Sequence, residues 1–154
     1  MDELHAQPDS HRFDARLTGM AKRPNSLLVS ITTADYARES VCNQRYELAC
    51  RVRDGEIDVP EFLPVIYEAP TDSDWRDERV WCDANPGMAF IDRLILRKLA
   101  HEAQEYPSKE NLFRRFHLNQ RTEQDIRWLP MEKWDACAEP GDLTGSCYGG
   151  LDLA

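Results

Sequence analysis

Apolar positions in this chain of 154 residues follow two periods that alternate along it. Phe13, Leu17 and Met20 stand at i, i+4 and i+7, one face of a short helix that Asp9 or Ser10 can cap and that Gly19 and Pro24 bracket. Leu27-Leu28-Val29-Ser30-Ile31-Thr32 is instead a short apolar run between polar turns, the pattern of a buried parallel strand. A second helix is predicted over 35–53, with Val41, Leu48 and Val52 on one face and Asp54-Gly55 at its end. Between Val59 and Glu68 the β-branched and aromatic residues favour a strand. Pro60 and Pro64 cannot donate to a ladder on both sides, so it is predicted at an edge.

Farther along, a loop at 69–74 leads to a short helix from Trp75 to Asp83, stopped by Asn85-Pro86-Gly87. Ile91, Leu94, Ile95, Leu99 and Ala103 form a helical stripe within 89–105, and Tyr106-Pro107 ends it. Ser108 suits an N-cap, with Leu112, Phe113 and Phe116 as the apolar face of the next helix. A short helix from about Pro130 with Trp134 buried, a turn at Glu139-Pro140-Gly141-Asp142, and a strand through Cys147-Tyr148-Gly149-Gly150-Leu151-Asp152-Leu153 complete the pattern. Strands alternating with helices indicate an α/β architecture. Both ends read as cut rather than capped, so an exposed apolar edge is expected.

Composition narrows the class. Apolar residues make up 42% and charged residues 31%, a globular balance. No apolar run approaches the roughly 20 residues that a membrane span requires, and the first residues lack a secretory pattern, so an intracellular protein is expected. The five cysteines, an odd number without a C-x-x-C pair, read as reduced thiols. They and His5, His11, His101 and His117 lack the clustered spacing of a zinc site. A formal charge of −9 argues against a surface built throughout to attract nucleic acid. The charge is uneven, however. Acids dominate 54–79, whereas Arg93, Arg97, Lys98, Lys109, Arg114, Arg115 and Arg121 make the following stretch basic and the better place for a nucleic acid.

Adjacent carboxylates at Asp2 and Glu3 are the chemistry that a nucleotide-hydrolysing site uses after a buried strand, one acid for the Mg²⁺ shell and one for the attacking water. Alone the pair says little, but an ordered series follows it. Asp2-Glu3-Leu4-His5-Ala6-Gln7-Pro8 precedes Leu17-Thr18-Gly19-Met20, Lys22-Arg23, and the run Leu27 to Ile31 with Thr32-Thr33-Ala34. Then come Tyr46-Glu47, Pro64-Val65-Ile66-Tyr67-Glu68-Ala69, Trp81, Ala84-Asn85-Pro86-Gly87, Phe113-Arg114-Arg115, Leu118-Asn119-Gln120, Trp128-Leu129-Pro130 and Tyr148-Gly149-Gly150-Leu151-Asp152-Leu153-Ala154. In this order and spacing the chain resembles the large subunit of tailed-phage terminases, the DNA-packaging motor, from its Walker B acids to its first nuclease motif.

The resemblance implies a partial P-loop-type parallel sheet over 1–58 as the C-terminal part of an ATPase domain. It implies a mainly helical linker region with an edge strand over 59–145, and the first strand of a ribonuclease-H-like nuclease domain over 146–154. It makes Asp2 the acid of the Mg²⁺ and ATP site, Glu3 the catalytic glutamate, Thr32 and Thr33 with Ala34 the coupling motif, and Asp152 a metal-binding acid of a nuclease that uses Mg²⁺ or Mn²⁺. The parent activity it implies is ATP-driven translocation of DNA into the procapsid and cleavage of concatemeric DNA. The implied partners are double-stranded DNA, a portal protein, a small terminase subunit and further copies of the parent, in the host cytoplasm and without a membrane.

Departures qualify this. No G-x-x-x-x-G-K-[ST] occurs in the chain, so the residues by themselves are expected to bind no cofactor tightly and to be inactive. Asp35 stands where the family has glycine after the threonines, and Arg121 where an aromatic follows Leu-Asn-Gln. The competing class is a non-enzymatic prophage remnant, or a linker module that binds partners.

Overall fold

The computed structural model describes residues 1–126 and 131–137. Among these the chain is mostly helical. A 3-10 turn at Leu4–Ala6 is followed by α1 (His11–Met20), α2 (Val41–Arg53), α3 (Glu78–Ala84), a second 3-10 turn at Met88–Phe90, α4 (Arg93–Glu105), α5 (Pro107–Leu118) and α6 (Met131–Asp135).

No strand forms among the described residues, so the parallel sheet expected over 27–32 and the edge strand over 59–68 are not seen; the one β-pairing is an isolated parallel bridge between Tyr36 and Thr122. The 27–31 segment finds a single partner, Met1, whose carbonyl accepts from Ile31 N at 2.9 Å and whose amino group donates to Val29 O. A parallel strand needs ladder neighbours to satisfy its backbone groups. Sequence alternation nevertheless persists: Phe62, Pro64 and Ile66 are half-buried while Leu63, Val65 and Tyr67 face out. Leu27, Val29 and Ile31 are likewise exposed, matching the apolar edge expected.

Two apolar clusters hold the chain. The larger, between Ala69 and Leu118, joins α3, α4 and α5 around Trp75, Trp81 and Phe113. Phe113 lies 5.6 Å from Trp75 and 5.7 Å from Trp81 between ring centroids, and Trp81 Nε1 donates to Trp75 O at 2.7 Å, so the indole nitrogen is satisfied where it is buried. The smaller cluster is Leu4, Phe13, Val41 and Cys42, with Met1 and Leu28 against it.

Several boundaries depart from the sequence pattern for local reasons. The second helix starts at Val41 rather than near 35, because Ser40 Oγ accepts from Asn43 N at 3.2 Å and caps it there. Asp92 caps α4 through Leu94 N and Ile95 N. This sets a register in which Leu96, Ala100 and Ala103 are buried, while Leu94 at 65% and Ile95 at 56% are exposed beside Phe90 at 95%. Of the stripe read from the sequence, Ala103 is buried and Leu99 packs against the core, whereas Ile91, Leu94 and Ile95 face out. Ser108 is not a cap. Pro107 occupies the first turn of α5, where its missing N–H costs nothing, and Tyr106 precedes it. Trp134, expected to be buried, is 60% exposed. Trp75 and Trp81 lie in the core.

Polar clamps tie the helices to the segment before them. Asn119, at φ 52°, ends α5 and donates to Tyr67 O at 2.8 Å. The neighbouring Gln120 donates to Pro70 O at 2.7 Å and Ser73 Oγ at 3.1 Å. Asn85 donates to Trp81 O at 2.8 Å and His117 O at 2.7 Å, joining the ends of α3 and α5. Tyr46 Oη donates to Glu68 at 2.6 Å, which Arg53 also meets at 3.3 Å.

Candidate functional site

The acidic pair begins a tight turn. Leu4 is buried and fixes the 3-10 turn to the small cluster, leaving Asp2 and Glu3 exposed. Asp2 accepts only its neighbour's backbone N–H at 3.0 Å among the described residues. Glu3 sits in the left-handed region, at φ 49° and ψ 59°, a conformation costing a non-glycine residue about 1–3 kcal/mol.

Three oxygen atoms converge on one nitrogen of His5. Its Nδ1 lies 3.0 Å from Glu3 Oε2, 3.1 Å from Thr32 Oγ1 and 3.2 Å from Thr33 Oγ1. Thr32 Oγ1 also accepts from His5 N at 2.9 Å and donates to Thr33 O at 2.9 Å. A carboxylate only accepts, and the Thr32 hydroxyl proton is committed elsewhere, so the imidazole proton belongs on Nδ1. The acid and the threonine pair, 29 and 30 residues apart for Glu3 to Thr32 and Thr33 by their numbers, thus share a hydrogen-bond hub.

A knot behind the threonines holds them there. Asp35, 2% exposed, accepts from Tyr36 N at 2.9 Å, Arg38 Nε at 3.0 Å and Ser40 Oγ at 2.9 Å. Arg38 Nη2 reaches on to His5 O at 2.7 Å. Asp35 is not among the residues with positive φ, so it needs no glycine-like conformation. Its carboxylate organises the turn instead. Beneath the threonines, the Cys42 thiol donates toward Thr33 O at 3.9 Å; burial pushes its pKa up, so it is a poor nucleophile.

The hub also touches α5. The His5 ring lies 5.4 Å from Phe116, while Arg115, buried, places its guanidinium 5.2 Å from the Tyr36 ring and 5.0 Å from Phe116. Arg115 pairs with Asp125, and Ala37 N donates to Thr122 O at 2.7 Å. The segment behind the threonines is therefore joined to the end of the helical region.

The structure places Glu3, Thr32 and Thr33 together, with Asp2 one residue away. Asp152 and Cys147 lie outside the described residues. Among the described residues no three His, Cys, Asp or Glu side chains gather as a metal site, and Cys42, Cys50, Cys82 and Cys137 are free thiols. Four of the bases between 93 and 121 are spoken for: Arg97 by Glu78, Lys109 by Glu102, Arg114 by Glu110 and Arg115 by Asp125. Arg121 lies 4.6 Å over the Tyr46 ring. His117 is packed against Phe113 at 5.2 Å, and burial lowers its pKa. His5, Asp35 and Arg38 were not singled out by sequence for these roles. The i, i+3 spacing of Asp35 and Arg38 was a usable signal, but nothing local links His5 to Thr32.

No family model matches the chain. Its fold is similar to that of a segment of a phage large terminase: the crystal structure of the HK97 bacteriophage large terminase superposes with a TM-score of 0.68 at 28% identity, over 90% of this chain and 28% of that one. The "Terminase, large subunit" of Enterobacteria phage HK97 is 30% identical over 149 residues, 96% of the chain and 29% of the relative. Protein YmfN of Escherichia coli (strain K12) is 26% identical over 140 residues, 90% of the chain and 31% of the relative. The chain is thus similar to a segment of terminase large subunits, and it spans about three-tenths of the length of these curated relatives.

Proposed function

We propose that residues 1–58 contribute the hydrolytic side of an ATP site in a phage DNA-packaging motor, that 59–145 link it to a nuclease domain, and that Asp152 serves that nuclease. In this reading Glu3 polarises the attacking water and Asp2 stands by the Mg²⁺ hydration shell. Its exposed carboxylate suits Mg²⁺, which keeps several waters and takes one or two protein oxygens. Bound Mg²⁺ would neutralise charge building on the phosphates. Thr32 and Thr33 report the position of Glu3 through His5, so that loss of the γ-phosphate alters the knot at Asp35 and, beyond it, α5. A partial parallel sheet around 27–32 and a nuclease strand at 146–154 belong to the same reading. So do metal-dependent DNA cleavage by Asp152 with Mg²⁺ or Mn²⁺, and double-stranded DNA, a portal protein, a small subunit and further copies as partners.

The observation that supports it is the convergence of Glu3, Thr32 and Thr33 on His5 Nδ1. It is tested by replacing the matched segment of the HK97 large terminase with this chain and measuring ATP turnover. Glu3→Gln should lower turnover by about 10²-fold or more, and Thr33→Val should separate turnover from DNA movement. An active chimera indifferent to Glu3→Gln would end the proposal. The exposed Phe90, Leu94 and Ile95 favour a second reading, a module that only binds partners; it expects an inactive chimera.

A further inference from the structure

Four bases whose side chains find no partner within the described chain stand close together on α1 and the turn after it. The side chains of Arg12, Arg16, Lys22 and Arg23 are exposed and make no ion pair, hydrogen bond or ring contact with any described residue. Between His11 and Arg23 stand these four bases and one acid, Asp14, in a chain of net charge −9. Positions 12, 16, 19 and 23 follow i, i+4, i+7 and i+11, and helical turns carry the chain past Met20, with Lys22 N donating to Gly19 O at 3.2 Å and Arg23 N to Met20 O at 3.1 Å. Arg12 and Arg16 therefore share one side of α1 with Gly19, and the exposed Lys22 and Arg23 follow in the turn beyond Met20. Asp14 lies on the far side of the helix, and the buried Phe13 anchors α1 beside that stripe.

Gly19 supplies an independent observation. Its φ is not positive, and a Cβ there would meet nothing within 4 Å, so neither backbone geometry nor internal packing calls for glycine. Glycine weakens a helix, and like charges four apart weaken it further. Both are accounted for if the stripe lies against a polyanion, whose backbone can come close where no side chain intervenes.

We infer that this face of α1 is a contact surface for the phosphate backbone of duplex DNA. The choice of DNA rests on the motor reading above; the surface does not. Phosphate contacts of this kind carry no sequence preference and release counterions. The test is fluorescence anisotropy of a labelled random-sequence duplex with the chain itself, from about 50 to about 200 mM salt.

Arg12→Gln with Arg16→Gln should weaken binding about tenfold at the low-salt end and reduce the salt slope by about 2, close to one per lost contact. Arg93→Gln with Lys98→Gln should leave both unchanged. Gly19→Gln should raise helix content by circular dichroism yet weaken DNA binding, a combination that a purely structural role for Gly19 would not produce. The inference is overturned if the unaltered chain does not bind duplex at low salt, if the α1 substitutions change neither affinity nor slope, or if polyglutamate competes as well as duplex does. Failure here leaves the ATP-site reading standing, because that depends on Glu3→Gln in the chimera, and failure of Glu3→Gln leaves DNA contact by α1 measurable.

Discussion

Around His5 the chain is held mainly by hydrogen bonds over a cluster of four buried residues, whereas from Ala69 to Leu118 it is held by an aromatic and aliphatic core of ten. The helical region carries its own packing, with Phe113 wedged against two tryptophans. The acid-threonine hub instead depends on side chains far apart in sequence, each making several directed bonds. Polar networks specify position sharply but contribute little net stability, because the same groups bond water when unfolded. A site that must respond to a ligand is reasonably built from such bonds, and a region that must stay put from buried apolar surface.

The sharpest way to break this contrast is to remove the aromatic centre. Phe113→Ala should cost about 3–5 kcal/mol by urea unfolding; a loss below 1 kcal/mol would mean that the core is not where stability resides. Next is the joint between the regions. Arg115→Ala removes a buried guanidinium over Tyr36 and Phe116 and is expected to cost about 2 kcal/mol, less than a fully buried pair because Asp125 is half-exposed. It should also shift the His5 resonances in NMR spectra, and unchanged resonances would separate the hub from α5.

Within the hub, Asp35→Asn should cost about 1–2 kcal/mol by weakening charge-assisted bonds to Arg38 and Ser40. The smallest effect is a pH dependence. Burial lowers the His117 pKa in the folded state, so the unfolded chain binds the proton more readily. Stability tied to this residue is full above the unfolded value of about 6.5 and falls as pH drops through it toward the folded value. Urea midpoints at pH 7.5 and 5.5 should differ less in His117→Gln than in the parent, and an equal difference would count against the buried neutral imidazole.

Much of the helical plan was legible. The i, i+4, i+7 spacing of Phe13, Leu17 and Met20 and the stop at Pro24 predicted α1, and Asp54-Gly55 the end of α2, because these signals act within one or two turns. Apolar periodicity also located α4, and it placed Leu99 and Ala103 on the inner side but misassigned Ile91, Leu94 and Ile95. Ile91, Leu94 and Ile95 are as hydrophobic as Leu96, and only the placement of α5 selects Leu96 and Ala100, with Ala103, as the inner side. The quoted motif residues Glu68, Asn85, Asn119 and Gln120 were visible as a series, yet their common role as clamps appears only when the segments they join are brought together.

By itself the sequence determined most of the helices and where several of them stop, the charged tracts, and which acids and hydroxyls were available for chemistry. Tertiary structure decided that Glu3, Thr32 and Thr33 meet at His5, that Asp35 is a buried anchor, and that the basic residues of α4 and α5 are largely neutralised while those of α1 are not. Capping and periodicity are set by neighbours in the chain, whereas a hydrogen bond across 28 residues or an ion pair between helices exists only after loop closure has been offset by packing.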